Sequence, residues 1–472
     1  MEKLLPVLKE MAVKQKGSIV QSVTMLPPSG SKRKYFRIMT DTGSYLAVSN
    51  PNIKENDAFV EFARHFRSIG LNVPNILEYN RDAGLYLQTD FGDTTLLKYI
   101  TENKDNEGII PAIYREVLDN LMRFQVEGIK KLNTRVCYPR SVFDEQSITW
   151  DLHYFKYNFL NLAGIPYDEQ ELEQDFAGFA TQLLQADNNY FMYRDFQSRN
   201  IMINNGKTAY IDFQGGRKGP LQYDVASLLF EAKTNLSPLF REEMLQYYLS
   251  RLQDIHGIDP REFLKDYYKF VLIRVLQALG AYGLRGLHEN KTIFLQSIPG
   301  AINNIKWLAT NEKLPYTLKE MCNVLYRVTE SESLARIARQ PETFTLTVNS
   351  FSYKNGIPFD STLNGGGFVF DCRALPNPGR LDAYKPLSGL DKPVIDYLQS
   401  MDEVNSFLRN AQSLVSTSVK EYLSRGFKSL AVNFGCTGGQ HRSVFCAEQL
   451  AFLFKNEHNV IVKVNHRELQ KS

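Results

Sequence analysis

Paired cysteines are missing from this sequence: its five cysteines are scattered, and no two of them have the Cys-x-x-Cys spacing. An odd number of dispersed thiols is a poor basis for a disulfide framework and favours a reducing compartment. Long hydrophobic runs are also missing, since no apolar stretch approaches the ~20 residues of a membrane span. Charged residues interrupt the apolar N-terminus, which argues against a signal peptide. We therefore expect a cytoplasmic protein without a membrane partner.

The sequence also has little net charge, with a formal value of +3 at pH 7. Nothing in the overall charge therefore requires a nucleic-acid partner. Hydrophobic residues make up 43% of the chain and charged residues 23%, as in ordinary globular proteins. With 472 residues the chain is too long for one ordinary core, so we expect more than one domain.

The first 312 residues follow the order of a strand-rich lobe and then a helical lobe. Strands are expected at residues 31–39, 43–49 and 85–89, with a helix at 56–68. From residue 111 to about 308 the pattern is mostly helical, broken by short strands near Ile201 and Tyr210. This order predicts an α+β, protein-kinase-like bilobal domain with a small lobe at 1–90 and a helical lobe at 91–312.

A second pattern follows a predicted helical connector at residues 313–341. Strands are expected at 344–351, 429–434 and 460–464, and helices at 404–422 and 443–455. A Gly-rich loop at 435–440 joins the second of these strands to the last helix. The alternation of strands and helices predicts an α/β C-terminal domain at 342–472.

Asp195, Asn200 and Asp212 have the spacing of the catalytic residues of a kinase-fold phosphotransferase. Asn200 follows Asp195 by five residues, and Asp212 ends an apolar strand. Asp195 would accept the proton of a substrate hydroxyl, while Asn200 and Asp212 would hold the Mg²⁺ that bridges the ATP phosphates. Any one of these residues alone would be an ordinary turn residue or helix cap. Together they predict a small-molecule kinase that uses ATP and Mg²⁺.

The loop before the first hairpin contains the residues expected to bind the ATP phosphates. Gly30 and Ser31 let backbone N–H groups approach phosphate oxygens, and Arg33 and Arg37 supply positive charge. Protein kinases carry a lysine on the third strand, but the comparable run here ends at Ser49 without one. We therefore expect Arg33 or Arg37 to replace its charge, unless activity is reduced.

Gln88 and Thr89 end a predicted strand where a kinase fold joins its two lobes, so we expect backbone groups there to meet adenine. The next residues, Asp90-Phe91-Gly92, spell the metal-binding motif of protein kinases. They precede the catalytic loop, whereas the metal-binding Asp must follow it. We assign Asp90 no metal role.

Other residues near the catalytic loop have open roles. Tyr193 stands where protein kinases have His. Asp224 precedes a helical run and could cap that helix or hold the catalytic loop. Trp150, Asp151 and His153 are candidates for the substrate pocket, although packing is the expected role of Trp150.

Several motifs of the N-terminal part are similar to those of one kinase family. Ser31–Arg37 resembles its Ser-Phe-Arg-Arg-Tyr-Phe-Arg, and Tyr193–Asn200 resembles its His-Arg-Asp-Tyr-His-x-x-Asn. Over roughly residues 15–310 the chain resembles the aminoglycoside-phosphotransferase-like superfamily, and most of all the N-acetylmuramate/N-acetylglucosamine anomeric kinases of cell-wall recycling (AmgK-like). The resemblance implies ATP-dependent phosphorylation of the anomeric hydroxyl of a free amino sugar.

The loop that starts at Gly435 predicts an anion site in the C-terminal domain. It follows an apolar strand and opens a helix, so its backbone N–H groups and the helix N-terminus can face an anion. Its expected site residues are Cys436, Thr437, Gly438, Gly439, Gln440, His441, Arg442 and Ser443. The Arg442 guanidinium could form a fork to a phosphate.

The same loop leaves two other interpretations open. Its Cys-x5-Arg-Ser spacing is that of tyrosine phosphatases, in which a cysteine thiolate attacks phosphorus. However, Gly435 stands where those enzymes have His, and no general-acid loop is evident. The loop could also be a simple Gly-rich turn over a buried cysteine.

A second cluster could complete this anion site. A strand ending in Asp371-Cys372-Arg373 runs into a Pro-rich loop that contains Asn377. This arrangement could bring Arg373 and Asn377 close to the Gly-rich loop. The alternative is a solvated structural loop.

Residues 342–470 resemble the C-terminal domain of the RapZ family of RNase adapter proteins, most clearly in the run from Gly435 to Val444. The resemblance implies binding of glucosamine-6-phosphate, binding of a small regulatory RNA, and self-association. From Glu342 onward, 14 Lys/Arg face 12 Asp/Glu, a net charge of +2. Because RNA affinity depends on phosphate neutralisation, this balance favours a phosphosugar ligand over RNA.

The sequence thus predicts an amino-sugar kinase fused to a phosphosugar-sensing domain, with a possible homo-oligomer through that domain. Two alternatives stay open. One is a regulatory adapter with a degenerate kinase fold that binds RNA or protein. The other is a kinase of another small hydroxylated compound, such as an aminoglycoside.

Overall fold

The computed structural model describes residues 5–14, 19–27, 33–103, 106, 108–204, 206–289, 291–338, 344–358, 367–424, 427–455 and 460–469. The chain forms two compact units. The first comprises Met1–Leu284 and Ser297–Ser331, and the second comprises Arg285–Gln296 and Glu332–Ser472.

The strands of the first unit are β1 (Val20–Met25), β2 (Lys34–Thr40), β3 (Gly43–Ser49), β4 (Ile76–Asn80), β5 (Leu85–Thr89), β6 (Tyr190–Met192), β7 (Ile201–Asn204), β8 (Lys207–Tyr210) and β9 (Arg217–Gly219). Those of the second unit are β10 (Phe344–Ser352), β11 (Gly367–Asp371), β12 (Ser429–Cys436) and β13 (Val460–His466).

The α-helices are α1 (Leu5–Val13), α2 (Ile53–Ser68), α3 (Leu96–Glu102), α4 (Ile109–Met122), α5 (Glu145–Phe155), α6 (Asn161–Ala163), α7 (Glu169–Leu183), α8 (Leu221–Leu229), α9 (Pro238–His256), α10 (Pro260–Tyr282), α11 (Thr292–Leu295), α12 (Ile298–Thr310), α13 (Lys319–Glu330), α14 (Glu332–Ala338), α15 (Lys392–Gln399), α16 (Asp402–Ser424) and α17 (Arg442–Phe454). Helices α11 and α14 to α17 lie in the second unit.

A five-stranded antiparallel sheet begins the first unit, with strands in the order β1-β2-β3-β5-β4. Strands β3 and β5 have the bounds predicted from the sequence, and β2 pairs with β3 as the predicted hairpin. Asn52 caps α2 by accepting a hydrogen bond from Glu55 N at 3.3 Å. Helices α1 and α3 were not predicted, because their nine and seven residues are too few to show a helical period.

An aromatic cluster joins α2 to the part of the chain that carries the candidate catalytic residues. The ring of Phe66 packs edge-on against Phe124 and Phe191, with centroids 4.8 and 4.9 Å away. It also meets Phe213 edge-on at 5.5 Å. Since Phe213 follows Asp212, this packing fixes the backbone beside a predicted metal ligand.

Two short antiparallel ribbons, β6 with β9 and β7 with β8, carry the loops of the candidate site. The sequence predicts β7 and β8. Strands β6 and β9 have three residues each, too few for an alternating pattern to identify them. Residues 193–200 connect β6 to β7, and Asp212 follows β8.

Helix α10 forms the centre of the helical lobe. Asp259 caps it by accepting a hydrogen bond from Arg261 N at 2.8 Å, and Pro260 occupies its first turn. At Gly280 the helix passes so close to Tyr154 that a Cβ would lie 2.7 Å from its ring. The stretch Pro260–His288 is long and apolar enough to cross a membrane, and 67% of its most apolar window is buried inside the fold.

Part of the predicted connector packs on the first unit. In α13, Met321 N donates to Asp175 Oδ2 of α7 at 2.9 Å. In return, Asp168 N donates to Glu320 Oε1 at 3.0 Å. Residues 319–330 therefore pack within the first compact unit. Side-chain contacts between α7 and α13 join residues distant in sequence, so a local pattern does not show them. The predicted domain boundaries stay predictions.

A four-stranded parallel sheet in the order β11-β12-β10-β13 forms the second unit. Leu346 and Val348 of β10 join Val432 and Phe434 of β12 in a fully buried apolar core. The predicted alternation of β10 is incomplete, since Thr345 is buried as well as Phe344 and Leu346 on either side of it in the chain. The carboxyl ends of parallel strands share one edge, so the loops after β10, β11 and β12 meet there.

The aromatic cluster provides a stability test. Phe66→Ala should lower the free energy of unfolding of the first unit by about 3–5 kcal/mol, because it empties a fully buried ring site. Both tryptophans, Trp150 and Trp307, lie in this unit. Their fluorescence during denaturant unfolding therefore reports on it.

The control variant is Leu239→Ala, since Leu239 is 81% exposed. It should change the unfolding free energy by less than about 0.5 kcal/mol. A loss in Phe66→Ala no larger than in this control would contradict the assigned role of the cluster.

Candidate functional site

A buried carboxylate holds the catalytic loop. Asp224 accepts hydrogen bonds from the backbone N–H groups of Tyr193 and Arg194 at 2.7 and 2.9 Å. Burial raises the pKa of Asp224 to about 7, and these two bonds oppose that rise. Helix α8 begins at Leu221 without a side-chain cap. Of the two roles predicted for Asp224, holding the loop is confirmed and capping the helix is wrong.

The residue before Asp195 is anchored by the helical lobe. Arg194 forms a two-pronged ion pair with Asp151 of α5, in which Nη1 lies 2.7 Å from Oδ2. The Arg194 backbone has φ 81°, a left-handed conformation that costs energy for a residue with a side chain. Asp151, a predicted substrate-pocket candidate, is thus engaged in positioning the catalytic loop.

The other two substrate-pocket candidates lie on the surface of α5. Trp150 is 48% exposed, with the Arg140 guanidinium 5.8 Å from the centre of its ring. The expected packing role of Trp150 is therefore wrong. His153 Nε2 lies 3.0 Å from Glu173 Oε2 of α7.

Tyr193 keeps the catalytic loop beside the end of β8. Its hydroxyl donates to the backbone carbonyl of Ile211 at 2.6 Å. The side chain is fully buried among aromatic rings, including Phe196 and Phe213. With Tyr at position 193, where protein kinases have His, the catalytic loop is therefore still bonded to the segment that precedes Asp212.

The structure brings the three predicted catalytic and metal residues together. Asn200 Nδ2 donates to the Asp195 carbonyl at 2.8 Å, and Ile211 N donates to the Asn200 carbonyl at 3.0 Å. Asn200 and Asp212 line the same cavity, whose volume is about 270 Å³. The Asp195 side chain is partly exposed beside them.

The residues at this cavity offer few metal ligands of their own, which suits a Mg²⁺ ion that binds together with a nucleotide. Among the residues that the structure describes, no group of three or more His, Cys, Asp or Glu side chains is placed to bind a metal. Asp212 and Asn200 nevertheless offer a carboxylate and an amide oxygen. Mg²⁺ is commonly held by one or two such groups, with phosphate oxygens and water completing its octahedron.

Asp212 is strained and kept ionised. Its φ is 70°, in the left-handed region. Burial raises the pKa of Asp212, but the charge of Arg33 and the hydrogen bonds from Gln214 and Arg33 outweigh burial and leave that pKa below its usual value. An ionised carboxylate is the form that a metal ion requires.

Arg33 lies at this cavity and pairs with two carboxylates. Its Nη1 lies 2.9 Å from Asp212 Oδ1, and its Nη2 pairs with Glu55 Oε1 of α2. The Arg33 side chain is only 6% exposed. Kinases build a pair of this kind from a lysine and a helix glutamate.

Arg37 has a different set of partners. Its Nε lies 2.6 Å from Asp90 Oδ2, and its Nη1 lies 2.8 Å from Asp93 Oδ2. It lines the same cavity as Arg33. Arg37 therefore ties β2 to the segment after β5. Asp90 is engaged in this ion pair, and its lack of a metal role stays a prediction.

Gln88 and Thr89 also line this cavity. The Thr89 N–H donates to the Asn75 carbonyl at 3.1 Å. A contact of adenine with backbone groups near Gln88 and Thr89 stays a prediction. The buried Oε1 of Gln88 has no hydrogen-bond partner among the described residues. Gly30 and Ser31, the other predicted phosphate-binding residues, lie outside the described residues.

In the second unit, the Gly-rich loop curls over a buried cysteine. Cys436 Sγ accepts a hydrogen bond from Gly439 N at 3.2 Å and lies 3.2 Å from Ser443 Oγ. Helix α17 begins at Arg442, directly after the loop. The loop therefore presents backbone and helix N–H groups at the carboxyl end of β12.

A cavity of about 250 Å³ lies against this loop. Among the predicted anion-site residues, its lining includes Cys436, Thr437, Gly438, Gln440, His441, Arg442 and Asn377. Ser443 lies beneath it, bonded to the cysteine. Lys385 also lines the cavity and was missed as a site residue, although its charge was visible in the sequence.

The two predicted arginines of this region, Arg442 and Arg373, lie in different surroundings. Arg442 is 5% exposed, and its Nη1 donates to the backbone carbonyls of Arg373 and Leu375 at 2.7 and 3.0 Å. The Arg373 guanidinium instead pairs with Asp371 and lies 4.0 Å from the ring centre of Tyr353. Arg373 is therefore not among the residues that line the cavity, because a local carboxylate holds its side chain.

Two family models match the chain. The phosphotransferase enzyme family matches residues 24–261, half of the 472 residues. The RapZ C-terminal domain matches residues 344–470.

Curated relatives match a smaller part. A nucleotide-binding protein of Ralstonia nicotianae is 42% identical over 133 residues, which are 28% of this chain and 43% of the relative. The nucleotide-binding protein YvcJ of Bacillus subtilis is 42% identical over 132 residues, which are 28% of this chain and 42% of the relative. The chain thus spans less than half of the length of these relatives.

Solved structures with a similar fold are distant in sequence. The choline kinase of Cryptosporidium parvum has a TM-score of 0.48 at 13% identity, covering 68% of this chain and 99% of its own. An ethanolamine kinase of Plasmodium vivax has a TM-score of 0.46 at 13% identity, covering 62% and 85%.

The predicted fold class is confirmed, with a protein-kinase-like unit of helices and sheet followed by a parallel-sheet α/β domain. The resemblance to the RapZ C-terminal domain is confirmed as well, while the closeness to AmgK-like kinases stays a prediction. The chain belongs to the phosphotransferase enzyme family and carries a RapZ C-terminal domain at residues 344–470.

Proposed function

We propose that this protein is a cytoplasmic kinase that uses ATP and Mg²⁺ to phosphorylate a free amino sugar, and that its second unit binds an amino-sugar phosphate. The acceptor would be the anomeric hydroxyl of N-acetylmuramate, N-acetylglucosamine or a near relative in cell-wall recycling. One observation carries the proposal. Asn200 and Asp212 share a cavity with Arg33, and the Asn200 side chain is bonded to the backbone of Asp195.

The geometry supports a direct phosphoryl transfer. The sugar hydroxyl oxygen would attack the γ-phosphorus of ATP, the bond to the β-phosphate oxygen would break, and the hydroxyl proton would pass to Asp195. Asn200 and Asp212 would hold Mg²⁺, which neutralises charge on the phosphates when bound. Arg33 would add a fixed positive charge, kept in place by Glu55.

The sugar specificity rests on sequence motifs. The runs Ser31–Arg37 and Tyr193–Asn200 resemble those of the N-acetylmuramate/N-acetylglucosamine anomeric kinases. The adapter alternative has less support, since Arg33 supplies a cation that the third strand lacks and Tyr193 still bonds the catalytic loop. These contacts would be unnecessary in a degenerate kinase fold.

For the second unit, the loop after β12 supports a phosphate-binding role. Lys385 and Arg442 add positive charge to a cavity bordered by backbone N–H groups and the N-terminus of α17. The ligand class comes from the RapZ family resemblance. RNA binding and self-association stay as weaker possibilities for this domain.

Replacement of the proposed base tests the kinase. Asp195→Asn should lower kcat by about 10²–10⁴-fold, because no carboxylate then accepts the hydroxyl proton. The measurement is sugar-dependent ADP release with a panel of free amino sugars in the presence of Mg²⁺. Asp82→Asn, an exposed Asp in the same unit, is the matched control and should keep its activity.

The absence of sugar-dependent turnover in folded wild-type protein would contradict the proposed activity. It would favour the adapter alternative, for which RNA binding is the next measurement. Turnover that survives in Asp195→Asn would remove Asp195 from the proposed role.

Arg33 should control both the rate and its pH dependence. Arg33→Gln should lower kcat/KM for ATP by about 10²-fold through the loss of a fixed charge. Because Arg33 keeps the pKa of Asp212 low, that pKa should rise in the variant. Activity needs ionised Asp212, so the acidic limb of the pH profile should move to higher pH.

The control for this experiment is Arg81→Gln, which removes a surface arginine paired with Asp57. It should leave the rate and the pH profile unchanged. Arg33→Lys should restore part of the rate. An Arg33→Gln profile with its acidic limb in the wild-type position would contradict the coupling to Asp212.

The second unit should bind glucosamine-6-phosphate, as measured by isothermal titration calorimetry on the full chain. Lys385→Gln should weaken binding by about tenfold, since it removes one charged contact from the cavity. Lys392→Gln is the control, because Lys392 is an exposed lysine of α15. Binding that is absent, or that is equally weakened by both variants, would contradict this assignment.

A further inference from the structure

A buried glutamine lies at the cavity proposed above to bind the nucleotide. Gln88 is 5% exposed and lines this cavity together with Asn200 and Asp212. The Oε1 atom of its side-chain amide is buried and has no hydrogen-bond partner in the described part of the chain. Several other buried side-chain atoms of the described residues also lack a partner, but none of them belongs to a residue of this cavity. Since buried polar groups are normally paired, this amide is in need of a partner.

A second buried glutamine of the same unit shows how the fold satisfies an amide that has a structural role. Gln125 is fully buried, and its Nε2 donates to the Leu221 carbonyl at 2.9 Å. Its Oε1 accepts a hydrogen bond from the Tyr248 hydroxyl at 2.6 Å. The Gln125 amide is thus held at both ends. No bond of this kind holds the Gln88 amide among the residues that the structure describes, so they do not fix its orientation.

Apolar side chains lie beside Gln88 at the cavity. Leu46 is opposite Gln88 in the ladder between β3 and β5, and both residues line the cavity. Leu26, Met202 and Ile211 add further apolar lining. Apolar side chains can pack on the flat faces of a purine, while a few polar groups recognise its edge. We therefore expect the purine ring of the nucleotide on this apolar lining, with its edge towards Gln88.

The polar groups of the next residue are already engaged. The Thr89 N–H donates to the Asn75 carbonyl at 3.1 Å, and the Thr89 Oγ1 accepts from Asn75 N at 3.1 Å. The side-chain amide of Gln88, in contrast, has both a donor and an acceptor to offer to a base.

The chemistry of an amide matches two kinds of purine. Adenine has an amino donor at position 6 beside the N1 acceptor, whereas a 6-oxopurine has a carbonyl acceptor beside an N1–H donor. An amide carries an acceptor and a donor side by side, so a half-turn about its terminal bond matches it to either edge. A protein group that held the amide in one orientation would favour one edge and reject the other.

We propose that Gln88 binds position 6 of the purine, and that its amide turns to accept 6-oxopurine nucleotides such as GTP and ITP as well as ATP. The base takes no part in bond making or breaking, so the transfer to the acceptor hydroxyl is the same with each donor. This inference rests on the proposed kinase function, and it names the range of phosphoryl donors that the kinase uses.

Nucleotide binding without any sugar provides the test. The β,γ-imido analogues of ATP and ITP are titrated with Mg²⁺ into the full-length wild-type protein by isothermal titration calorimetry. ITP lacks the 2-amino group of GTP, so the space around position 2 does not enter the comparison. The two dissociation constants should agree within about tenfold, the effect of one lost hydrogen bond. A larger preference for either analogue, or no binding of both, would overturn the inference.

Variants of Gln88 test whether its amide makes the contact. Gln88→Met removes donor and acceptor and should weaken both analogues by about tenfold. Gln88→Glu carries a carboxylate that only accepts, so it should weaken the inosine analogue at least about tenfold more than the adenosine analogue. Gln246→Met, the same change at an exposed glutamine of α9, is the matched control and should bind both as the wild type does. Unchanged binding in Gln88→Met would contradict the proposed contact.

One further ligand keeps the test independent of the variants. The midpoint of Trp fluorescence during unfolding identifies variants that have lost the fold. Purine riboside triphosphate has no group at position 6, and it should bind wild-type protein about tenfold more weakly than the other two nucleotides. Equal binding of all three would overturn the inference. Since none of these titrations needs an acceptor, the absence of sugar turnover would count against the kinase proposal and leave this result in place.

Discussion

The bridge made by Arg33 is the interaction on which the candidate active site depends. One guanidinium joins Glu55 of α2 to Asp212, residues that are far apart in the chain. With 6% of its side chain exposed, Arg33 is taken largely out of water, so both carboxylates are needed to offset the cost of its burial. Loss of one partner of such a pair leaves an uncompensated charge and typically costs about 3–5 kcal/mol. The bridge therefore holds α2, the Arg33 guanidinium and Asp212, the predicted metal ligand, together as a single group.

The neighbouring contacts make this bridge possible. Asp212 has a strained backbone, and strain of this kind persists only where the surroundings impose it. On one side, the ring of Phe213 is held by Phe66 and the aromatic cluster. On the other, the hydroxyl of Tyr193 binds the carbonyl of Ile211, and Asp224 binds the backbone of Tyr193. The aromatic packing, the backbone hydrogen bonds and the buried ion pair therefore all hold the backbone at Asp212 in the same conformation.

The sequence was enough to select the candidate residues of this group, but it did not show which of them contact each other. The spacing of Asp195, Asn200 and Asp212 lies within a single segment, so local order was enough to select them. The choice between Arg33 and Arg37 was not possible, because Arg33 meets Asp212 across 179 residues of chain. For Arg373, the sequence predicted a site residue that the structure does not place at the cavity. Its charge suggested an anion site, yet a carboxylate two residues away holds it.

The second unit shows how packing limits the chemistry that a motif permits. The thiol of Cys436 has two hydrogen-bonding neighbours, as a nucleophilic thiolate would need. A phosphatase would also need His at position 435, but a Cβ on Gly435 would lie 2.5 Å from the rings of Phe351 and Tyr353. The described residues that line the cavity include no carboxylate to protonate a leaving group. The phosphate-binding role proposed for this cavity needs neither of these two groups.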